Sequence, residues 1–501
     1  MRPWELALCA ALLLGLALWV VPAHSRSGLR GPWCTWLRGL PVLTVVLAAV
    51  QLTVEGPRWQ LVPAYAGVGL WVAGSGVRLL LRHLRGHPYQ ITRVAAAGPR
   101  TPHRSRSLMR LVAAAAVGAG VIAPPMLFPV FAFPVPSGPY AIGTVTYHWV
   151  DASRRDAFVS DPVAHRELIA QVWYPARAGS SAPVAAYVPE PAVLAPLAGL
   201  LRLPPFIFGH LNAVTTNARV AAAPAGTGRF PVLICLHGRG GYRQEDTWLV
   251  EELVSRGYAV VCLDQPHAAS GVDLPDGRRV LLDPRMLQRS FVDAMVPYLA
   301  QDVSFTVDRL VALASQDPQG VLTGRLDLSR VGVFGLSLGG EVAAQACRDE
   351  PRLQACVMMD VWMPQDVVSP GLTRPALFLT RDAATMRSEG WPSEAVTETL
   401  TTMRAAYAAD RAPAWFVTAP GLYHQDFSDA PLLSPLTRTL HVTGPIPAQR
   451  AHDITADYTA AFFDVTLRRT TSPLLSSTQR PFPGVSVESR AGTETDGRGL
   501  S

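Results

Sequence analysis

Apolar residues fall into two arrangements along this chain, and the change comes near residue 134. Before it they form four long blocks, at 6–21, 40–54, 61–77 and 108–133. A membrane span takes about 20 apolar residues. The first and third blocks therefore predict spans, the second is short, and Pro124-Pro125 kinks or ends the fourth. From Pro134 onward the pattern becomes short apolar runs parted by turns. Runs at 145–150, 168–173, 232–236, 259–263, 331–334, 356–359, 376–379 and 414–418 predict strands. Helical spacing recurs between them. Leu249, Val250, Leu253 and Val254 share a face over 247–256, and Val303, Val307, Leu310 and Ala314 do so over 300–315. Asp453 is placed to cap a last helix over 454–467, with Ile454, Tyr458, Phe462 and Val465 inward. Strand–helix alternation over this length predicts an α/β domain with a mostly parallel sheet at 135–470. The stretch 471–501 is rich in Ser, Thr, Gly and Pro and predicts a disordered tail.

Charge changes this picture in one respect. The chain has 501 residues and a net charge of +6, which invites a nucleic-acid reading. Residues 1–134, however, hold 13 Arg and only two acids, Glu5 and Glu55, so that the rest is net negative. The basicity belongs to the apolar region, where a bilayer explains it better than phosphate binding. Arg26, Arg30 and Arg38 follow the first block, and eight arginines from Arg78 to Arg110 surround the connection into the fourth. Four spans would put both basic loops in the cytoplasm, with the N-terminus and everything after Phe133 outside a bacterial cytoplasmic membrane. The rival is a signal peptide cleaved near 22–25, "PAHS". The chain has no lysine, a GC-rich bacterial signature. Its six cysteines show no metal spacing, so neither a metal nor another cofactor is expected. A Cys347–Cys356 disulfide is left open.

The chemistry centres on "VGVFGLSLGG", residues 331–340. A G-x-S-x-G turn is informative when it follows a strand and opens a helix, as Gly335-Leu336-Ser337-Leu338-Gly339 does. Gly335 and Gly339 suit a tight turn that pushes the Ser337 hydroxyl outward. A serine nucleophile needs a base and an orienting acid. Asp360 ends the next strand, "ACVMMD", and His424 lies in the loop after "PAWFVTA". Asp426 and Asp429 compete for the acid but lack a strand of their own. His452 competes for the base but sits at a helix start, where a surface role is expected. His237 and His267 precede the serine, the wrong order. Backbone N–H groups of Leu338 and of Arg239, in "HGRGG" after strand 232–236, are candidate oxyanion donors.

The segments "HGRGGYR", "GLSLGG", "MMDVWM" and "YHQDF", with "GPYAIGTVTYHWVD" and "QVWYPA" upstream, resemble the plasma-type platelet-activating-factor acetylhydrolase family, from about Phe133 to about Leu467. The resemblance implies an α/β-hydrolase fold and calcium-independent cleavage of short or oxidised sn-2 acyl chains from phospholipids. It also implies Ser337 as nucleophile, Asp360 as acid, His424 as base, and the Arg239 and Leu338 amides as oxyanion donors. Arg239 stands where the family usually has an apolar residue, and Leu338 where it often has an aromatic. The expected protein is thus a membrane-anchored serine esterase whose partners are an acyl-ester substrate and the bilayer. A generalist carboxylesterase or polyester hydrolase, and a non-catalytic acyl-ligand-binding membrane protein, are the alternatives. Residues 195–211, apolar and broken by prolines, are expected either as a lid or as a buried connection.

Overall fold

The structure is a computed structural model that describes residues 1–20, 33–85, 103–476 and 481–492. The 22–25 segment, Arg26, Arg30, Arg93 and Arg100 of the basic loops, and residues 477–480 and 493–501 of the tail lie outside the described residues. The chain divides into two compact units, Met1–Phe131 and Ala132–Ser501.

The first unit contains helices α1 (Pro3–Val20), α2 (Trp33–Val54), α3 (Val62–Arg85) and α4 (His103–Leu127). Leu8, Cys9, Leu12, Ala48, Leu61, Ala64, Val68 and Val121 form its small core. Outward positions are also apolar, Leu6, Val42, Leu70 and Val112 among them. The only two acids of the region meet at one end, where Glu5 and Glu55 both pair with the buried Arg58. At that end Trp4 N–H donates to Glu55 (3.0 Å) and Gln60 donates to the Phe128 carbonyl (3.1 Å). Among the described residues, two helical segments rather than four are long and apolar enough to cross a membrane, Pro3–Val20 and Leu108–Leu127. The apolar part of α2, Gly39–Val54, is too short. In α3, Gly67, Gly69, Gly74, Ser75 and Gly76 dilute the hydropathy. Helix α4 runs through Pro124-Pro125 and ends at Leu127, within a turn of them.

The second unit is built on one large sheet. In chain order its strands are β1 (Ala141–Arg155), β2 (His165–Ala176), β3 (Val184–Ala186), β4 (Thr215–Val220), β5 (Phe230–Leu236), β6 (Ala259–Asp264), a separate hairpin of β7 (Gly271–Asp273) and β8 (Arg279–Leu281), then β9 (Leu326–Leu336), β10 (Leu353–Met359), β11 (Ala376–Thr380), β12 (Ala414–Thr418) and β13 (Ser486–Arg490). The spatial order is β13-β12-β11-β10-β9-β5-β6-β2-β1-β4-β3. The six strands from β6 through β5 and β9 to β12 are mutually parallel. Their side chains are buried on both faces, as parallel strands covered by helices require. Alternate residues Val232, Ile234, Val331, Val333, Met358 and Phe378 share one core with helix α6 (Arg289–Ser315), helix α7 (Leu338–Asp349) and Met403 and Ala406 of helix α8 (Ser393–Ala409). On the other face lies helix α9 (Ala448–Leu467). A Cβ at Gly332 would strike the Phe463 ring, so the glycine is what lets α9 approach. Each such fully buried ring contributes about 1.5–3 kcal/mol.

Three sequence expectations need correction, and a fourth divides. Residues 486–490 of the tail are strand β13, antiparallel to β12 with Ala414 opposite Arg490. Helix α9 starts at Ala448, after Pro447, so Asp453 is not its cap but accepts from Gln449 within it (2.8 Å). Helix α6 starts at Arg289 because Val292, Met295, Val296 and Leu299 extend its buried face upstream. Residues 195–211 divide between both readings: Ala198, Ile207, Phe208 and Leu211 are buried, whereas Leu200, Leu201, Leu203 and Phe206 are exposed.

Candidate active site

Strand β9 runs straight into helix α7, and Ser337 is the residue at the turn. Its backbone is left-handed, φ 56° and ψ −125°, a conformation that costs a non-glycine residue about 1–3 kcal/mol and persists only where the surroundings enforce it. Ser337 N–H donates to the Met359 carbonyl (3.0 Å), while the Ser337 carbonyl accepts from Gly340 N–H (2.8 Å). A Cβ at Gly335 would collide with the Gly339 backbone, and one at Gly339 with the Leu236 carbonyl. The two glycines are thus required by close backbone approach.

Asp360 follows β10 and is also left-handed, φ 45°. Its carboxylate is buried and fully used. Oδ2 accepts from His424 Nδ1 at 2.6 Å, and Oδ1 accepts from Thr380 Oγ1 at 2.8 Å and from Arg381 Nε at 3.2 Å. Burial works to raise the Asp360 carboxyl, but Arg381 and His424 outweigh it and hold it below the usual carboxylate range. His424 opens a short turn after β12, and its main-chain N–H donates to Glu389 Oε2 (3.2 Å). Arg381 and Glu389 pair with each other. The structure therefore brings Asp360 and His424 into contact, and Ser337 and His424 line one pocket of about 240 Å³. Among the described residues the Ser337 hydroxyl and His424 Nε2 make no hydrogen bond, a contact that commonly closes only with substrate in place.

The loop after β5 lines the same pocket through Gly238, Arg239, Gly240 and Gly241. Gly240 N–H donates to Ala268 O, Gly241 N–H to Gly238 O, and Gly238 N–H to Glu245 Oε1. The Arg239 N–H has no acceptor among the described residues, nor does that of Leu338 at the first position of α7. Both amides are thus free to donate to a bound group. Glu245 also accepts from Tyr242 N–H (3.3 Å), and burial pushes its carboxyl up.

The competing residues have structural work. Asp426 accepts from Tyr423 and Gly444 N–H (both 2.6 Å), and burial pushes it up to about 6. Asp429 accepts from Thr247 and Trp248 N–H, capping helix α5 (Thr247–Ser255) from a distant loop. His237 is satisfied on both nitrogens, donating to Gly238 O (2.7 Å) and accepting from Gln265 N–H (3.1 Å). His452 is not on the surface: it is buried, stacked on Trp248 at 4.0 Å, and pushed down to about 4 by burial. Sequence reasoning missed Arg381, Glu389 and Glu245. The strand-end position of Arg381, directly after β11, was the one available signal. A Cys347–Cys356 disulfide joins α7 to β10.

The Alpha/beta hydrolase family pattern matches residues 233–489. Two curated proteins are similar over shorter stretches. The bis(hydroxyethyl) terephthalate hydrolase of Streptomyces coelicolor is 25% identical over 159 residues, 32% of this chain and 41% of that protein. The platelet-activating factor acetylhydrolase of Cavia porcellus is 23% identical over 281 residues, 50% of this chain and 60% of that protein. This chain thus matches less than two thirds of the length of either relative. Among solved structures, the ferulic acid esterase from Streptomyces cinnamoneus superposes with a TM-score of 0.59 at 30% identity, over 71% of this chain and 98% of that one.

Proposed function

The chain belongs to the alpha/beta hydrolase family, and from that premise we propose that it is a serine carboxylic-ester hydrolase using Ser337, Asp360 and His424. The observation that carries this reading is the 2.6 Å Asp360–His424 bond beside a strained serine in one pocket. In it, His424 Nε2 takes the Ser337 proton as Oγ attacks the ester carbonyl. Asp360 fixes the Nδ1–H tautomer and stabilises the imidazolium. The oxyanion rests on the Arg239 and Leu338 amides. His424 protonates the leaving alcohol, and water then frees the acyl group by the same steps.

The small pocket suits a compact acyl group. We assign as substrate a phospholipid with a short or oxidised sn-2 chain, hydrolysed without calcium, on the motif resemblance and the similarity to the guinea-pig acetylhydrolase. The second reading, a generalist carboxylesterase or polyester hydrolase, is favoured by the likeness to the terephthalate hydrolase and the ferulic acid esterase. We place the hydrolase unit outside the cytoplasmic membrane, with the N-terminal helices as anchor. The arginine distribution supports this, and so does the disulfide, since disulfides persist in oxidising compartments.

The test is hydrolysis, with EDTA present, of phosphatidylcholines bearing acetyl or palmitoyl at sn-2, of bis(hydroxyethyl) terephthalate and of methyl ferulate. Acetate release alone, lost in Ser337→Ala, supports the phospholipid reading. Cleavage of the aromatic esters with both lipids intact replaces it by the second. Failure of a fluorophosphonate to label Ser337 overturns both in favour of a non-catalytic binder.

A further inference from the structure

Arg381 is a large charged side chain with no exposure at all, and nothing in the ester chemistry above uses it. Taking a guanidinium out of water costs several kcal/mol unless good partners surround it. Here the partners are two carboxylates and an aromatic face. Nε lies 3.1 Å from Asp360 Oδ2, Nη1 meets Glu389 Oε2, and the guanidinium stacks 4.6 Å over the Trp391 ring. That ring is itself 5.4 Å from the His424 imidazole.

The contacts close on themselves. His424 Nδ1 bonds Asp360, Asp360 bonds Arg381, Arg381 pairs with Glu389, and Glu389 accepts the main-chain N–H of His424. The ring grips His424 at two places, its imidazole and its backbone. Its members come from separate elements: the end of β10, the end of β11, helix Ala383–Glu389 and the loop after β12. Neither Arg381 nor Glu389 lines the pocket.

We propose that Arg381 and Glu389 are positioning residues that aim the His424 imidazole and set its protonation balance through opposed charges. The proposal rests on the reading of His424 as the base. The cation behind Asp360 disfavours an imidazolium, and the Glu389 anion favours it. The other charged groups that face this region are Glu245, from the loop after β5, and Asp426, which lies toward Arg381 and accepts two backbone N–H groups. Both are left unchanged by the test.

The experiment is the pH profile of kcat/KM on p-nitrophenyl acetate, with the full chain in detergent, for wild type, Arg381→Gln, Arg381→Lys and Glu389→Gln. Removing the cation stabilises the protonated imidazole, so the acid limb of Arg381→Gln moves up by about one pH unit. Removing the anion does the reverse, so that of Glu389→Gln moves down by about half a unit. Both lose kcat, by about tenfold or more, with KM changed by less than about threefold. Arg381→Lys restores the limb but only part of kcat, because an ammonium lacks the planar fork. Should Arg381→Gln fail to fold, Glu389→Gln and Arg381→Lys carry the test. Limbs that move in the same direction or stay fixed, or losses confined to KM, overturn the proposal. The reading beneath it falls separately, if His424→Ala retains wild-type turnover.

Discussion

Around Ser337 the neighbours at 335, 339 and 340 carry no side chain, whereas around His424 the neighbours Asp360, Arg381 and Glu389 carry three charges. Ser337 is held by close backbone approach: Gly335 against Gly339, Gly339 against the Leu236 carbonyl, and Ser337 N–H on Met359 O. Steric constraint of this kind is indifferent to salt and pH. His424 is held by ionised groups packed in a low-dielectric interior, where each charge is felt strongly and the balance shifts with protonation. The difference teaches that one half of the site breaks by volume and the other by charge.

The largest effect is expected at Ser337. Ser337→Ala is expected to cut turnover on any cleaved ester by on the order of 10⁵-fold or more while the protein stays folded. Turnover and thermal unfolding, read on one preparation, check this. Gly339→Ala breaks the steric half. With the Leu236 carbonyl immovable in β5, it is expected to lose about 2–4 kcal/mol of stability in a denaturant titration, with no relief from salt. A change of charge at the same place has a different signature. Glu341, in the first turn of α7, is buried, and burial, opposed in part by Arg289, pushes its carboxyl up to about 8. Between about 4.5, where the group titrates in the unfolded chain, and about 8, the folded state therefore binds a proton the unfolded state does not. Stability falls as pH rises through that window, so Tm should drop by several degrees from about pH 6 to about pH 8. Glu341→Gln should reduce the slope, which other buried carboxyls such as Glu251 and Asp410 share, without moving the acid limb of the rate that we assign to the His424 half. The smallest effect concerns Arg239, whose exposed guanidinium lies at the pocket and reaches the Met286 carbonyl (3.2 Å). Arg239→Leu should lower the preference for a 2-acetyl phospholipid over the matching 2-acetyl diglyceride by about threefold. A screened surface charge supports no more.

The two halves also differ in how much of them the sequence discloses. The elbow is local: a strand, two glycines at fixed spacing and a helix lie within about fifteen residues, so its pattern is readable at once. Asp360 and His424 are readable because each follows a strand, and a parallel sheet gathers its strand ends at one edge. The charges behind His424 are not readable. In "TRDAATMRSEGW", Arg381 and Glu389 look like the two ends of a solvated helix, and only the packing of β10, β11 and the His424 loop buries them. His452 was misplaced for a related reason, since the helix start at Ala448 puts it a turn inside α9 and against Trp248. The short strands β3, β4 and β13 left no apolar run, because at and next to the sheet's edges only some of their positions are buried. In the N-terminal unit, length suggested four spans where the apolar density of the described helices is sufficient in two.

One consequence concerns the far edge of the sheet. Without β13, strand β12 would present an open row of main-chain N–H and C=O groups, a template on which a second molecule could add its own strand. The chain covers that row with "SVESR", whose Glu488 pairs with Arg404 (2.7 Å) and whose Arg490 donates to the Tyr407 carbonyl (2.6 Å). The segment is short, charged and fastened at its middle and its C-terminal end, the features that make a sheet edge unattractive to further strands. A tail that reads as dispensable thus covers an edge on which aggregation could otherwise start. Trimming the chain before Ser486 would be felt first in solubility, with the chemistry of the distant serine untouched.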